Sequence, residues 1–227
     1  MVSYNDWYST TQEIPHVLVE KKNFLSFEDV YKLQTFFRKN HREGEENLRP
    51  PSAMEDNIFR KIKDIASQYG IDVEPDMMVI SNTRNGQGHE YHMDNCKYDF
   101  LRNVIPNHTP NRLVSMSVSL TQMNKYKGGE LSFDTSEGVK AYKIPIGDAV
   151  MFTSTHKNPH WVNKVTEGER LVLLVWMKSN KQRYESHLMK ISDTPSCVLP
   201  LTCISIVIIV VIAMVLYFSL KKKPVSK

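Results

Sequence analysis

The sequence predicts an α+β protein that is mainly β, a β-sandwich or jelly roll with N-terminal helices packed on one sheet. Two early segments carry apolar residues at helical spacing, and short strand-like segments separated by turns follow Pro75. A long uncharged apolar run lies near the C-terminal end. Many short strands behind two helices are typical of this architecture, and the apolar run adds one predicted transmembrane helix.

Residues 1–75 are predicted to form a helical support region. Ser26 can cap a helix from about Phe27 to Asn40, whose apolar stripe consists of Val30, Leu33, Phe36 and Phe37. A second helix is predicted from about Ala53 to Tyr69, with Gly70 as its C-terminal stop. Its apolar face consists of Ile58, Ile62, Ile65 and Ala66.

Residues 76–178 are predicted to form the β core. The predicted strands are Met77–Ser81, His89–Asp94, Leu113–Leu120, Glu130–Phe133, Val139–Ile144, Ala149–Phe152 and Leu171–Met177. Turn signals such as Asn85-Gly86 and Gly147-Asp148 separate them. Asn95 to Asn111 is predicted to be a longer polar loop, which we interpret as a lid beside the candidate site described below.

Composition narrows the class of protein. The chain has 227 residues and a formal net charge of +4, with no basic cluster interleaved with aromatic residues, so no nucleic-acid partner is expected. Its three cysteines do not make a disulfide framework, which favours a reducing compartment. The N-terminal residues have no sustained apolar segment of the kind found in signal peptides.

The C-terminal part predicts a membrane anchor. Residues 198–220 contain no charged residue and are long enough to cross a bilayer as a helix. A basic connector, 179–197, precedes them, and a basic tail, 221–227, follows. Because basic residues flank the span on both sides, the positive-inside rule does not decide orientation. Without a recognisable signal peptide, we expect a single-pass tail anchor with the large N-terminal domain in the cytosol.

His92, Asp94 and His160 are the candidate metal ligands. Residues two apart on an extended strand share one face, so His92 and Asp94 can reach one ion together. Two imidazoles and one carboxylate are the ligands of a facial-triad Fe(II) site. His156 is a rival for the third position. The spacing from His160 to Arg170 favours His160, because it places a cation on the next strand to hold a chelated dicarboxylate.

Four motifs carry a family resemblance: Asn85–Asn95, Gly128–Phe133, Pro145–Phe152 and Asn158–Arg170. In this order and spacing, the region from about Met77 to Lys178 resembles the Fe(II)- and 2-oxoglutarate-dependent dioxygenases of the prolyl 4-hydroxylase type. The resemblance implies a double-stranded β-helix with Fe(II) at one end. It also implies 2-oxoglutarate and O2 as co-substrates, and ascorbate as an accessory reductant. Decarboxylation of 2-oxoglutarate would be coupled to hydroxylation of a prolyl or sometimes a lysyl side chain.

The resemblance also assigns roles around the metal. Arg170 would pair with the distal carboxylate of 2-oxoglutarate. Asn82 and Ser119 stand where several relatives have tyrosines that contact this co-substrate, and both side chains are polar enough to hydrogen-bond it. Arg112 is a further candidate, or else a surface arginine. No catalytic residue beyond the metal centre is predicted, and Trp176 is expected to line the pocket.

The substrate stays open at this level. Relatives use either arginine or lysine at the position of Arg170, so this residue does not choose among substrates. The leading hypothesis is hydroxylation of a proline-containing protein or peptide. The alternatives are a lysyl, small-molecule or lipid hydroxylase of the same chemistry, and an inactive membrane-anchored binding module on this fold.

Overall fold

The computed structural model describes residues 14–42 and 45–180, which form two β-sheets, a separate hairpin and two helices. The helices are α1 (Phe27–Asn40) and α2 (Ser52–Ser67). The strands are β1 (Leu18–Lys21), β2 (Asn47–Leu48), β3 (Val73–Arg84), β4 (His89–His92), β5 (Cys96–Tyr98), β6 (Val104–Pro106), β7 (Arg112–Ser119), β8 (Tyr126–Gly128), β9 (Leu131–Thr135), β10 (Gly138–Tyr142), β11 (Ala149–Thr153), β12 (His160–Val162) and β13 (Val165–Ser179).

The two sheets are antiparallel. The larger has the order β1-β11-β7-β13-β3-β2, with β8 paired to β13, and the smaller has the order β10-β9-β12-β4. Strands that are neighbours in a sheet are often distant in sequence, as with β1 and β11, which is typical of a jelly roll. The prediction of a mainly β fold with few helices is therefore confirmed.

The helices pack on the larger sheet, as predicted. Ser26 caps α1 by accepting a hydrogen bond from the backbone N–H of Asp29. α2 ends at Ser67 rather than Tyr69, because Gly70 adopts a positive φ of 73° and Ile71 N donates back to Ala66 O. The shared core joins residues of both helices to inward-facing residues of the sheet: Val30, Leu33, Ile58, Ile62, Met78, Ile80, Met116 and Leu173.

The segment Asn95–Asn111 is not the polar loop that the sequence predicted. It contains the hairpin of β5 and β6, which pairs Cys96 with Pro106 and Tyr98 with Val104. Buried Met93 and Cys96 and half-buried Val104 form a small apolar cluster beneath it. Three-residue strands are too short for an alternating pattern to stand out in the sequence, so the pairing partner decides their structure.

The predicted membrane anchor lies beyond the described fold. Within residues 14–42 and 45–180, no helix is long and apolar enough to cross a membrane. The predicted span, its basic tail and the connector beyond Asn180 lie outside the described residues.

Candidate metal centre

The candidate centre lies where β4 and β12 run side by side in the smaller sheet. His160 on β12 pairs directly with His92 on β4, and their ring centroids are 4.3 Å apart. Asp94 follows β4 by two residues and is buried. The fold thus brings together two histidines that are far apart in sequence, because antiparallel neighbours hold facing side chains close to each other.

The three predicted ligands converge. His92 Nε2 lies 3.6 Å from Asp94 Oδ1, and His160 Nε2 lies 3.8 Å from Asp94 Oδ2. One ligand atom from each residue lies within 4.8 Å of the others, and His156 does not belong to this cluster. The arrangement is the two-histidine, one-carboxylate set that suits a divalent metal with open coordination positions.

The neighbours of these side chains orient them for metal binding. His92 Nδ1 donates to the backbone carbonyl of Glu90 at 2.7 Å, and His160 Nδ1 donates to that of Asn158 at 3.0 Å. With the proton on Nδ1, each Nε2 keeps its lone pair for a metal. The hydroxyl of Ser115 donates to Asp94 Oδ2 and lies 2.6 Å from Ser154 Oγ.

Protonation in the cluster also suits a cation. Burial opposes ionisation of Asp94, but the Ser115 hydroxyl, together with the His92 and His160 imidazoles whenever either is protonated, holds its pKa well below the usual range. Burial lowers the pKa of His160, which favours the neutral imidazole. An anionic carboxylate beside a neutral imidazole with a free Nε2 is the donor chemistry that a divalent ion requires.

A small cavity of about 90 Å³ adjoins the three ligands. Besides these ligands its walls include Ser81, Thr83, Ser115, Ser117, Leu131, Phe152, Arg170, Val172 and Trp176. The Ser117 hydroxyl is buried and has no hydrogen-bond partner within the described part of the chain, so a bound oxygen-rich molecule would satisfy it. A larger groove of about 870 Å³ shares Ser81, Thr83, His89 and Trp176 with the cavity and leads outward.

Arg170 contributes the cavity's positive charge. Its side chain is only 4% exposed. Burial lowers its pKa, while the Tyr126 phenol and the Glu130 carboxylate partly offset that effect. Arginine nevertheless stays protonated at neutral pH. Gly129 packs against its stem, where an added Cβ would lie 2.8 Å from Arg170 Cδ. A buried guanidinium in the same cavity as the ligand cluster suits the distal carboxylate of a metal-chelating dicarboxylate.

The other two predicted co-substrate contacts do not line this cavity. Ser81 and Thr83 face the cavity, so strand alternation turns Asn82 toward the helical layer. Ser119 shares the face of Ser115 and Ser117, but its hydroxyl donates to Thr121 O and it is absent from the cavity wall.

Arg112 is part of a cluster beside the cavity. Its Nε donates to Asp76 Oδ2 at 2.7 Å, and its guanidinium lies 4.6 Å from the centroid of the Trp176 ring. Trp176 borders both the cavity and the outer groove, as expected. Arg112 therefore supports the tryptophan in the wall, a cation–π contact that the sequence did not indicate.

Four polar residues of the site were missed from the sequence: Thr83, Ser115, Ser117 and Tyr126. The alternation of serines on β7 was a usable signal, because Ser115 and Ser117 lie on the face opposite Val114, Met116 and Val118. Tyr126 gave no comparable signal. Its place beside Arg170 depends on the pairing of β8 with β13, which no local pattern predicts.

The comparison with known families agrees with this geometry. The family model described as "2OG-Fe(II) oxygenase superfamily" matches residues 78–178, which include all three candidate ligands and Arg170. The match covers 101 of the 227 residues, so this part of the chain is similar to the 2OG-Fe(II) oxygenase superfamily. The superfamily's name specifies Fe(II) and 2-oxoglutarate, so its members' cofactors agree with the two-histidine, one-carboxylate cluster and the buried arginine.

Related oxygenases cover part of the chain. A PKHD-type hydroxylase of Prochlorococcus marinus is 34% identical over 101 residues, which is 44% of this chain and 41% of that protein. A PKHD-type hydroxylase of Colwellia psychrerythraea is 35% identical over 103 residues, which is 45% of this chain and 42% of that protein. The chain thus spans about two fifths of the length of these curated relatives.

Solved structures support the oxygenase fold. A viral collagen prolyl hydroxylase from Paramecium bursaria Chlorella virus-1 superposes with a TM-score of 0.59 at 20% identity, covering 72% of this chain and 96% of that chain. A prolyl-4-hydroxylase of Pseudomonas putida has a TM-score of 0.55 at 20% identity, covering 77% of this chain and 99% of that chain. At this level of identity, the likeness shows the fold alone.

Proposed function

We propose that this protein is an Fe(II)- and 2-oxoglutarate-dependent dioxygenase that hydroxylates a prolyl side chain of a polypeptide. The observation that carries the proposal is the meeting of His92, Asp94 and His160 in one cavity with the buried guanidinium of Arg170. When bound, Fe(II), 2-oxoglutarate and O2 supply the oxidation that inserts oxygen into a C–H bond and releases succinate and CO2.

The chain's own residues would bind and orient these groups. His92, Asp94 and His160 would hold the metal, while Ser115 would keep the carboxylate in place. Arg170 would bind the distal carboxylate of 2-oxoglutarate, assisted by the unpaired Ser117 hydroxyl. The apolar walls formed by Leu131, Phe152 and Val172 would exclude water. Ascorbate would act as an accessory reductant, as the resemblance implies.

A polypeptide substrate is supported by the size of the outer groove. At about 870 Å³, it is much larger than the metal cavity, and it is flanked by Trp161 and Trp176. The neighbours on this fold are named prolyl hydroxylases, which favours proline over lysine. A lysyl, small-molecule or lipid substrate is the alternative, and the carboxylates of Glu46 and Glu90 in the groove wall would suit a lysyl side chain.

The test is succinate formation from 2-oxoglutarate with and without Fe(II). The purified chain should form succinate only with Fe(II), and proline-rich peptides should stimulate it and gain 16 Da at proline. His160→Ala should abolish turnover, since it removes a ligand, whereas His156→Ala should retain most of it. Absence of succinate under all conditions would favour an inactive binding module. If His156→Ala abolished turnover and His160→Ala did not, His156 would be the third ligand instead.

We also propose that residues 198–220 anchor the enzyme in a membrane, with the oxygenase domain in the cytosol. The support is the uncharged apolar run followed by three lysines. Alkaline extraction of expressing cells should leave the chain in the membrane pellet, and deletion of 198–220 should release it. Protection of the oxygenase domain from added protease in intact vesicles would contradict the cytosolic orientation.

A further inference from the structure

A second cavity lies on the other side of β3 from the metal cavity. It encloses about 630 Å³, which is within the range of small-molecule sites. Its floor is formed by Asn82 of β3, Leu171 of β13 and Thr121. Its rim carries four basic side chains: Arg38 of α1, His41 directly after α1, Arg84 of β3 and Lys125 of the short 3₁₀ helix Met123–Lys125. We refer to this cavity as the basic cleft.

The basic cleft has an excess of positive charge. Among its walls the one carboxylate is Glu169, which pairs with Arg84 at 3.2 Å. Arg38 and Lys125 have no ion-pair partner within residues 14–42 and 45–180. These two cations come from separate elements, Arg38 from α1 and Lys125 from the segment Met123–Lys125. The cleft therefore presents two uncompensated cations to a ligand.

Asn82 is an independent sign that the cleft is incomplete. Its side chain is only 6% exposed, and its Oδ1 has no hydrogen-bond partner among the described residues. Buried amide oxygens are almost always paired, so this acceptor requires a donor. Thr121 and Gln122 add further polar groups to the same cavity. A ligand hydroxyl near the floor would satisfy Asn82 while its anionic groups meet the rim.

We propose that the basic cleft binds a small organic anion with two anionic groups, phosphoryl or carboxylate, and at least one hydroxyl. Arg38 and Lys125 contact the anionic groups, and Asn82 accepts the hydroxyl's hydrogen bond. None of these three side chains belongs to the metal cluster or to the wall of its cavity. Asn82 also borders the outer groove, whereas Arg38 and Lys125 do not, so the two cations mark a site apart from the metal cavity and that groove.

The direct test is calorimetric titration of the metal-free, full-length chain in detergent. The probes are fructose 1,6-bisphosphate for the phosphoryl class and citrate for the carboxylate class, at constant ionic strength. At least one should bind, and Arg38→Gln with Lys125→Gln should weaken it by about tenfold or more, because two charge-assisted contacts are lost. The matched control, Lys39→Gln with Lys63→Gln, removes the same charge from exposed helix positions outside the cleft and should change affinity less than about twofold.

Tricarballylate, which is citrate without the hydroxyl, tests the role of Asn82. If citrate binds, tricarballylate should bind the wild-type chain more weakly than citrate does. The two compounds should bind Asn82→Leu with equal affinity. The site is localised by acylation of lysines with an amine-reactive ester, read by mass spectrometry. The bound probe should slow modification of Lys125 and leave Lys39 unaffected.

Three outcomes would overturn the proposal. The first is that neither probe binds. The second is that the cleft and control variants lose affinity equally, which indicates general attraction to a basic protein. The third is that the probe binds without protecting Lys125. Circular dichroism of each variant establishes that it is folded, and Lys125 protection on the wild-type chain needs no variant.

Discussion

Ser115→Ala should loosen the metal centre without removing a ligand. The lost hydroxyl donates to Asp94 Oδ2 and contacts Ser154 Oγ at 2.6 Å, and all three side chains are buried. Without it, the Asp94 carboxylate loses the contact that orients the oxygen nearest His160 Nε2. Removal of such outer partners lowers metal affinity about 10- to 100-fold, equivalent to about 1.4–2.8 kcal/mol.

The assay is titration of metal-free protein with Mn(II), a substitute for Fe(II), with free Mn(II) followed by electron paramagnetic resonance. Ser119→Ala is the matched control, because Ser119 is buried on the same strand face and donates to Thr121 O. It should alter the Kd for Mn(II) less than about twofold. Equal Mn(II) affinity of Ser115→Ala and wild type, or an equal loss in both variants, would refute the orienting role of Ser115.

Two further substitutions and one chemical modification test the metal cavity, the hydrogen bonds of Asn158 and the Cys96 thiol. Arg170→Lys should raise the Kd of 2-oxoglutarate about tenfold in calorimetry, because lysine cannot make a bidentate contact; an unchanged Kd would remove Arg170 from that role. Asn158→Ala removes hydrogen bonds to Val17 O and Thr153 O, so the free energy of unfolding measured in urea should fall by about 2 kcal/mol. A fall of less than about 0.5 kcal/mol would contradict the role of these hydrogen bonds. Burial raises the pKa of Cys96 to about 12, so at pH 8 about one thiol in 10⁴ is ionised. Iodoacetamide should therefore modify it only after unfolding, and rapid alkylation of the native protein would show that the thiol is accessible.

The elements that the sequence predicted well are those whose signals are local. The cap at Ser26 and the apolar stripe of α1 predicted a helix whose bounds agree with the structure. The alternation along β7 likewise predicted that strand. By contrast, β5, β6 and β12 are three residues long, and their conformation depends on partners distant in the chain. The polar start of β13 resembles a loop in sequence, yet it pairs with β8.

The sequence by itself determined the identity of the candidate ligands, because H-x-D and the spacing from His160 to Arg170 are properties of the chain alone. Only the tertiary structure decided which polar side chains surround them. Asn82 and Thr83 are adjacent in sequence, but the pleat of β3 turns Thr83 into the metal cavity and Asn82 toward the basic cleft. Similarly, Tyr126 reaches Arg170 because β8 pairs with β13, and Ser115 reaches Asp94 across the two sheets. Pairing and packing bring such residues together over long sequence separations, so no local pattern encodes them.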